Sequence, residues 1–138
     1  MFLSLAAGGL LLSLLGPHAV FPTMSAKKAS SRELCSMVKD YAGPDTVVVS
    51  ADYEQGFPFY AGRRVVIAGG MGELEFGAKI GDQSAWFIKK EQLPELWDSG
   101  RHVIVLIKPN DLEKFKTLAK TPVRVLGQDM RKLLITNR

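Results

Sequence analysis

The first 26 residues contain no Lys, Arg, Asp or Glu. All charge lies in the later part, including the formal excess of +4. The 138 residues include one cysteine, Cys35, which excludes an internal disulfide and has no partner spacing for a metal. Arg32-Glu33-Leu34 precedes it, which is not the small-residue pattern of a lipid-attachment site. Its expected place is the buried face of a helix. The two histidines share no ligand spacing: His18 sits in the apolar start and His102 opens an apolar strand. No Lys/Arg run with interleaved aromatics appears, so nucleic acid is not an expected partner. No serine nucleophile elbow is present, and no Walker-type lysine follows a glycine loop. Gly70-Met71-Gly72-Glu73-Leu74-Glu75 lacks the third glycine of a dinucleotide loop, and a glutamate at a helix start repels phosphate. No metal, cofactor or catalytic residue is assigned.

What is present begins with an apolar segment. Phe2 to Leu15, FLSLAAGGLLLSLL, is broken by Gly16-Pro17 and continues apolar to Pro22. That is about the length of a membrane span, and no basic residue precedes it as a secretory signal requires. Residues 1–22 are therefore expected to form a transmembrane or signal-anchor-like helix. Residues 23–29 read as a juxtamembrane linker, with Lys27 and Lys28 near lipid headgroups.

Residues 30–138 are long enough for one domain with a real core, and 46% hydrophobic against 23% charged residues in the whole chain fits a folded protein. Ser30 and Glu33 have capping-box spacing, and Leu34, Met37, Val38 and Tyr41 mark one face of a helix that Gly43-Pro44 ends. Strands are expected at Thr46–Ser50, Val65–Ala68, Ala85–Lys89 and His102–Ile107, most of them runs suited to burial on both faces. Short helices are expected at Glu73–Lys79 and Glu91–Asp98. A longer one, capped by Asn110, carries Leu112, Phe115 and Ala119. Val123–Leu126 and Lys132–Thr136 read as a hairpin turning at Gly127-Gln128-Asp129. The expected fold is α/β: a single three-layer domain with a mostly parallel sheet and an antiparallel C-terminal hairpin, preceded by the hydrophobic N-terminal helix.

The candidate site is the stretch from Tyr53 to Gly77. It holds the aromatics Tyr53, Phe57, Phe59 and Tyr60, the adjacent Arg63 and Arg64, and a glycine turn leading to Glu73 and Glu75. Side chains alternate along a strand, so the two arginines face opposite ways. One is expected to pair with Glu73 or Glu75. The other is expected to join Tyr53 and Tyr60, where a guanidinium can grip phosphate as a fork. The competing reading is that the aromatics plug the core and the arginines brace a loop.

Three segments together carry a resemblance. Asp52-Tyr53-Glu54-Gln55-Gly56-Phe57-Pro58-Phe59-Tyr60, Gly62-Arg63-Arg64-Val65 and Gly72-Glu73-Leu74-Glu75-Phe76-Gly77 resemble the C-terminal soluble domain of bacterial polyprenyl-phosphate-dependent glycosyltransferases. These are the lipid A aminoarabinose transferases and protein O-mannosyltransferases. Ser30 to Leu34, Leu96 to Arg101 and Leu133 to Arg138 are similar to that domain too. The resemblance implies a multi-span membrane enzyme of the cell envelope, with catalytic acids in an extracytoplasmic loop and a sugar donor on a lipid phosphate. The soluble domain lies on the extracytoplasmic (periplasmic) side of the cytoplasmic membrane. With at most one span, this chain is expected to be an accessory domain that is not catalytic alone. Its implied partners are membrane lipid, a polyprenyl-phosphate sugar and a multi-span membrane protein. The candidate substrate-binding residues, read from the loop itself, are Tyr53, Gln55, Tyr60, Arg63, Arg64, Glu73 and Glu75. The alternatives are a free-standing periplasmic module for a sugar or lipid headgroup, or a gene fragment without function.

Overall fold

A computed structural model of the chain describes residues 32–138. The expected N-terminal helix, the linker and the Ser30 cap lie outside the described residues. Among the described residues no helix is long and apolar enough to cross a membrane.

Two short helices, α1 (Arg32–Ser36) and α2 (Val38–Tyr41), lead into strand β1 (Val47–Ser50). Helix α3 (Phe57–Ala61) returns the chain to β2 (Val66–Ala68). A 3-10 turn (Gly72–Leu74) and α4 (Glu75–Ala78) precede β3 (Phe87–Ile88). A second 3-10 turn (Lys90–Gln92) runs into α5 (Leu93–Trp97), then β4 (Val103–Ile107) and α6 (Pro109–Leu118). The chain ends in β5 (Arg124–Gln128) and β6 (Leu133–Thr136). The six strands form one sheet in the order β3-β2-β1-β4-β6-β5. The first four are parallel, and β6 pairs antiparallel with both β4 and β5. This is a mixed α/β fold on a single sheet, with the antiparallel C-terminal hairpin that the sequence predicts.

Strand β4 is the centre. All five of its residues are buried, and their alternation feeds two separate cores. Val103, Val105 and Ile107 join Leu93, Trp97 and Phe115 on one face. Ile104 and Leu106 join Leu34, Cys35, Val38, Phe57 and Ala61 on the other. Helices thus cover both faces, which is why β4 reads as a continuous apolar run. Each fully buried side chain of this kind contributes about 1.5–3 kcal/mol. Trp97 is wholly buried, and its indole Nε1–H donates to the Thr121 carbonyl at 3.0 Å. Its ring meets Phe115 edge-on at 5.1 Å. Burial of Cys35 pushes its thiol up to about 12, so it stays a neutral apolar group.

Four local expectations need correction. The aromatic stretch after β1 is not all loop, because Phe57–Ala61 is helical with Pro58 in the first turn, where proline is tolerated. Tyr41 is 42% exposed and lies off the buried stripe. Asn110 is not the cap of α6: the helix starts at Pro109, and Lys108 precedes it in extended conformation. Gly127 and Gln128 lie within β5 rather than in the hairpin turn. Gly127 sits at a register shift where a Cβ would stand 2.9 Å from Met37 Sδ, so glycine is what lets β5 approach α1. The turn is made by Asp129, whose Oδ1 accepts from the backbone N–H of Arg131 and Lys132, both at 2.7 Å.

His102 locks the amino end of the sheet. The Gly43 N–H donates to Thr46 Oγ1 at 2.9 Å, and that hydroxyl lies 2.8 Å from His102 Nδ1. On the other side His102 Nε2 lies 3.0 Å from Thr136 Oγ1, whose own proton goes to the Val103 carbonyl at 3.1 Å. The direction of the chain makes Nδ1 an acceptor and Nε2 a donor, which is a neutral imidazole. Burial lowers the His102 pKa below its ordinary 6.5, with the charges of Arg138 and Arg63 adding to it.

Two predictions follow from this core. Val105 is wholly buried and sits in register with Val49 and Ile135. Val105→Asp buries an unpaired charge, a cost of several kcal/mol that is on the order of a domain's whole stability. The expected result is loss of the cooperative melt in circular dichroism; an unchanged melt removes β4 from the centre. For His102 the unfolded chain binds the proton more readily than the folded one. Its contribution is therefore complete above the ordinary value of 6.5 and is lost as pH falls below it. Melting temperature is expected to fall below that pH, with a shallower slope in His102→Gln.

Candidate functional site

In an open α/β sheet, functional groups collect beyond the carboxyl ends of the parallel strands, at the point where the strand order reverses. Here that point lies between β1 and β4. The chain leaves β1 toward α3 on one face and leaves β4 toward α6 on the other. The first residue past Ala51 is Asp52, and the first past Ile107 is Lys108. Their side chains meet across the gap, Lys108 Nζ to Asp52 Oδ2 at 3.1 Å. That oxygen is buried yet has no well-directed hydrogen bond, so the contact is an ion pair. The Ser50 hydroxyl donates to the Asp52 carbonyl and fixes the turn.

Three more polar pairs share this end. The Tyr53 hydroxyl donates to Glu73 Oε1 at 3.1 Å, joining the loop after β1 to the turn after β2. Partial burial raises the Tyr53 pKa, and the neighbouring Glu73 raises it further. Lys90, after β3, reaches Asp111 in the first turn of α6 at 3.4 Å. Lys132, just ahead of β6, lies 3.8 Å from Glu54, with only 9% of the lysine side chain exposed. Between the segments after β3 and α6 lies a groove of about 240 Å³, with Leu93, Pro94, Phe115 and Leu118 in its wall and Lys90 and Lys114 at its rim.

The sequence-predicted residues divide over this frame. Tyr53 and Glu73 come together at the carboxyl end. Gln55 is exposed in the turn before α3. Tyr60 lies on α3, half-buried against the second core, with Phe59 edge-on at 5.3 Å and the Arg32 guanidinium 5.8 Å from its ring centre. Glu75 pairs with Lys79 at 3.3 Å on the exposed α4. The arginines go elsewhere. Arg63 and Arg64 precede β2, so they lie at the amino end, a strand length from Tyr53 and Glu73. Arg63 Nη2 donates to the Gly43 carbonyl at 3.0 Å and the Pro44 carbonyl at 3.4 Å. Arg64 stacks on Trp86 with its guanidinium carbon 3.5 Å from the ring centre. The expected pairing of one arginine with a glutamate and the other with the tyrosines is not what the structure shows. The reason is α3, which carries the chain from one end of the sheet to the other between Tyr53 and Arg63.

Sequence reasoning placed no role on Asp52, Lys90, Lys108, Asp111 or Lys132. Position was the available clue: Asp52 and Lys108 each follow within two residues of a buried strand's end. Glycine supports the same end. Gly72 has φ +54, and a Cβ there would stand 2.7 Å from the Tyr53 ring. The tyrosine thus lies flat against a residue that must be glycine.

A family model described as the aminoarabinose transferase C-terminal domain matches residues 34–137. The fold is similar to ArnT from Cupriavidus metallidurans bound to undecaprenyl phosphate, with TM-score 0.68 and 18% identity over 80% of this chain and 20% of that one. The same protein in its apo state gives TM-score 0.65 and 16% identity over 78% of this chain and 20% of that one. This chain therefore spans about one fifth of the length of the structures it matches. No curated protein matches it.

Gly72→Ala tests the packing at this end. The substitution forces either a strained left-handed alanine or a displaced Tyr53 ring, with a loss of order 1 kcal/mol or more. A lower melting temperature is expected, together with a Tyr53 hydroxyl that titrates closer to a free phenol in ultraviolet absorbance. A titration unchanged from the parent chain would mean that Tyr53 does not depend on Gly72.

Proposed function

We propose a function from one premise: the chain belongs to the family of aminoarabinose transferase C-terminal domains, and it serves as the extracytoplasmic accessory domain of a membrane glycosyltransferase that uses lipid-linked sugars. The observation that carries this is the family match across 34–137, almost the whole described fold. The likeness to ArnT bound to undecaprenyl phosphate supports a polyprenyl-phosphate carrier as the partner chemistry.

In this reading the chain does not transfer sugar alone. It acts with a membrane-embedded partner that supplies the reacting carboxylates and holds the donor. The uncharged residues 1–26 support attachment to the cytoplasmic membrane, with the domain on the periplasmic side. The carboxyl end of the sheet is the face turned to the partner. There Asp52, Glu54, Glu73 and Asp111 are each held by a cation or a phenol, which suits a surface that orients and excludes water better than one that shuttles protons.

A second reading, a free-standing periplasmic module for a sugar or lipid headgroup, has the groove between α5 and α6 in its favour. One experiment separates the two. The full chain, alone or co-expressed with a multi-span transferase lacking its own C-terminal domain, is fractionated and assayed for transfer from a polyprenyl-phosphate sugar. The expected result is membrane-bound chain, no transfer by the chain alone, and transfer restored in the pair. Binding of the sugar lipid without any restoration favours the free-standing module. Turnover by the chain alone, or a fully soluble chain with an intact N-terminus, overturns the proposal.

A further inference from the structure

The two ends of the sheet differ in charge. At the carboxyl end Lys90, Lys108 and Lys132 each have an acid within reach. At the amino end guanidinium groups recur. Arg63 and Arg64 precede β2, Arg101 and His102 precede β4, and Arg138 follows β6. Arg124 opens β5 at the same level, in register with Thr136.

Arg101, His102 and Arg138 line an open hollow of about 550 Å³ together with Gly43, Pro44, Asp45 and Thr46. On the other side of the Gly43-Pro44 turn a second hollow is lined by Lys39 and Arg63. Asp45 is the one acidic side chain lining either. Two of the forks are already held. Arg63 Nη2 donates to the Gly43 carbonyl at 3.0 Å, and Arg138 Nη2 donates to the Gly100 carbonyl at 2.7 Å. A guanidinium has five N–H groups, so each anchored fork keeps donors to spare while its rotamer freedom is already reduced. Arg101 lines the same hollow and is exposed. His102 has both ring nitrogens engaged by threonine hydroxyls, so it forms the floor and donates nothing to a ligand.

We propose that this hollow is an anion site for a phosphoryl group, gripped by Arg101 and Arg138 with Arg63 adding field from across the turn. Two guanidinium forks on one concave surface, one of them anchored at the Gly100 carbonyl, match the oxygens of a phosphate better than a neutral sugar or a cation. The phosphoryl group comes either from a free phosphate in solution or from a phosphorylated lipid headgroup. The site does not rest on the proposed transferase role, since it lies at the sheet end opposite the one assigned to that role.

The test uses the full chain in neutral detergent micelles. In one arm inorganic phosphate and then pyrophosphate are titrated by calorimetry. In the other the micelles are doped with short-chain phosphatidate, with phosphatidylcholine as the control. The expected result is saturable binding in at least one arm, which identifies the source. Arg101→Ala should weaken that binding about tenfold or more, the loss of a charge-assisted hydrogen bond, without lowering the melting temperature of the free chain. Arg101→Lys should restore part of it. Arg131→Ala, which removes the same charge at the opposite end, should change nothing. A bound anion offsets the field of Arg138 and Arg63, so the His102 ring should also titrate at higher pH when the site is filled. Absence of saturable binding in both arms overturns the site. So does equal weakening by Arg101→Ala and Arg131→Ala, which would mark a diffuse surface charge.

Discussion

The fold depends on burying one strand from both sides. Val103 to Ile107 has no exposed residue, so neither face of the sheet can carry a charge at its centre. Helices α1 and α3 must cover one face and α5 and α6 the other. Everything polar is pushed to the two ends of the strands, and the molecule's chemistry is therefore divided into an amino end and a carboxyl end. Both candidate sites follow from that division.

The two ends are held by different means. At the carboxyl end the links are ion pairs between partly exposed side chains, each worth about 0–1 kcal/mol. They set geometry more than stability. At the amino end the links are directional hydrogen bonds near the core: the Thr46–His102–Thr136 chain, and Asn137, whose amide donates to the Trp97 and Arg101 carbonyls, both at 2.8 Å, and accepts from the Val103 N–H at 3.0 Å. Neutral hydrogen bonds of this kind contribute about 0.5–1.5 kcal/mol each, and leaving their buried partners unmade costs more. Asp98 adds a similar brace by accepting from the backbone N–H groups of Lys120 and Thr121, which lowers its pKa. The amino end is thus the rigid end, and a rigid frame is what holds arginine forks in place.

The strands were legible because burial on both faces leaves a plain pattern of β-branched runs, and the hairpin was legible because its two strands lie close in the chain. The site was less so. Tyr53 and Arg63 are ten positions apart, and a reading of the stretch as one loop puts them together. In a parallel sheet the residues after one strand and before the next lie at opposite ends, whatever the segment between them does. The helix Phe57–Ala61 that spans the distance is five residues long, rich in aromatics and contains proline, so its local preference gives little sign of helix. Tyr53 and Glu73 could be joined from sequence because each follows a strand. Lys108 and Asp52 could have been joined by the same rule, but the order that makes β1 and β4 neighbours is a tertiary fact.

Membership of a family whose solved relative is matched over only 20% of its length changes what this chain's surface has to do. A fold likeness near 18% identity shows the sheet and carries over no side chain at its ends. The phosphoryl site proposed at Arg101 and Arg138 and the paired charges at the carboxyl end therefore stand on this chain's own residues.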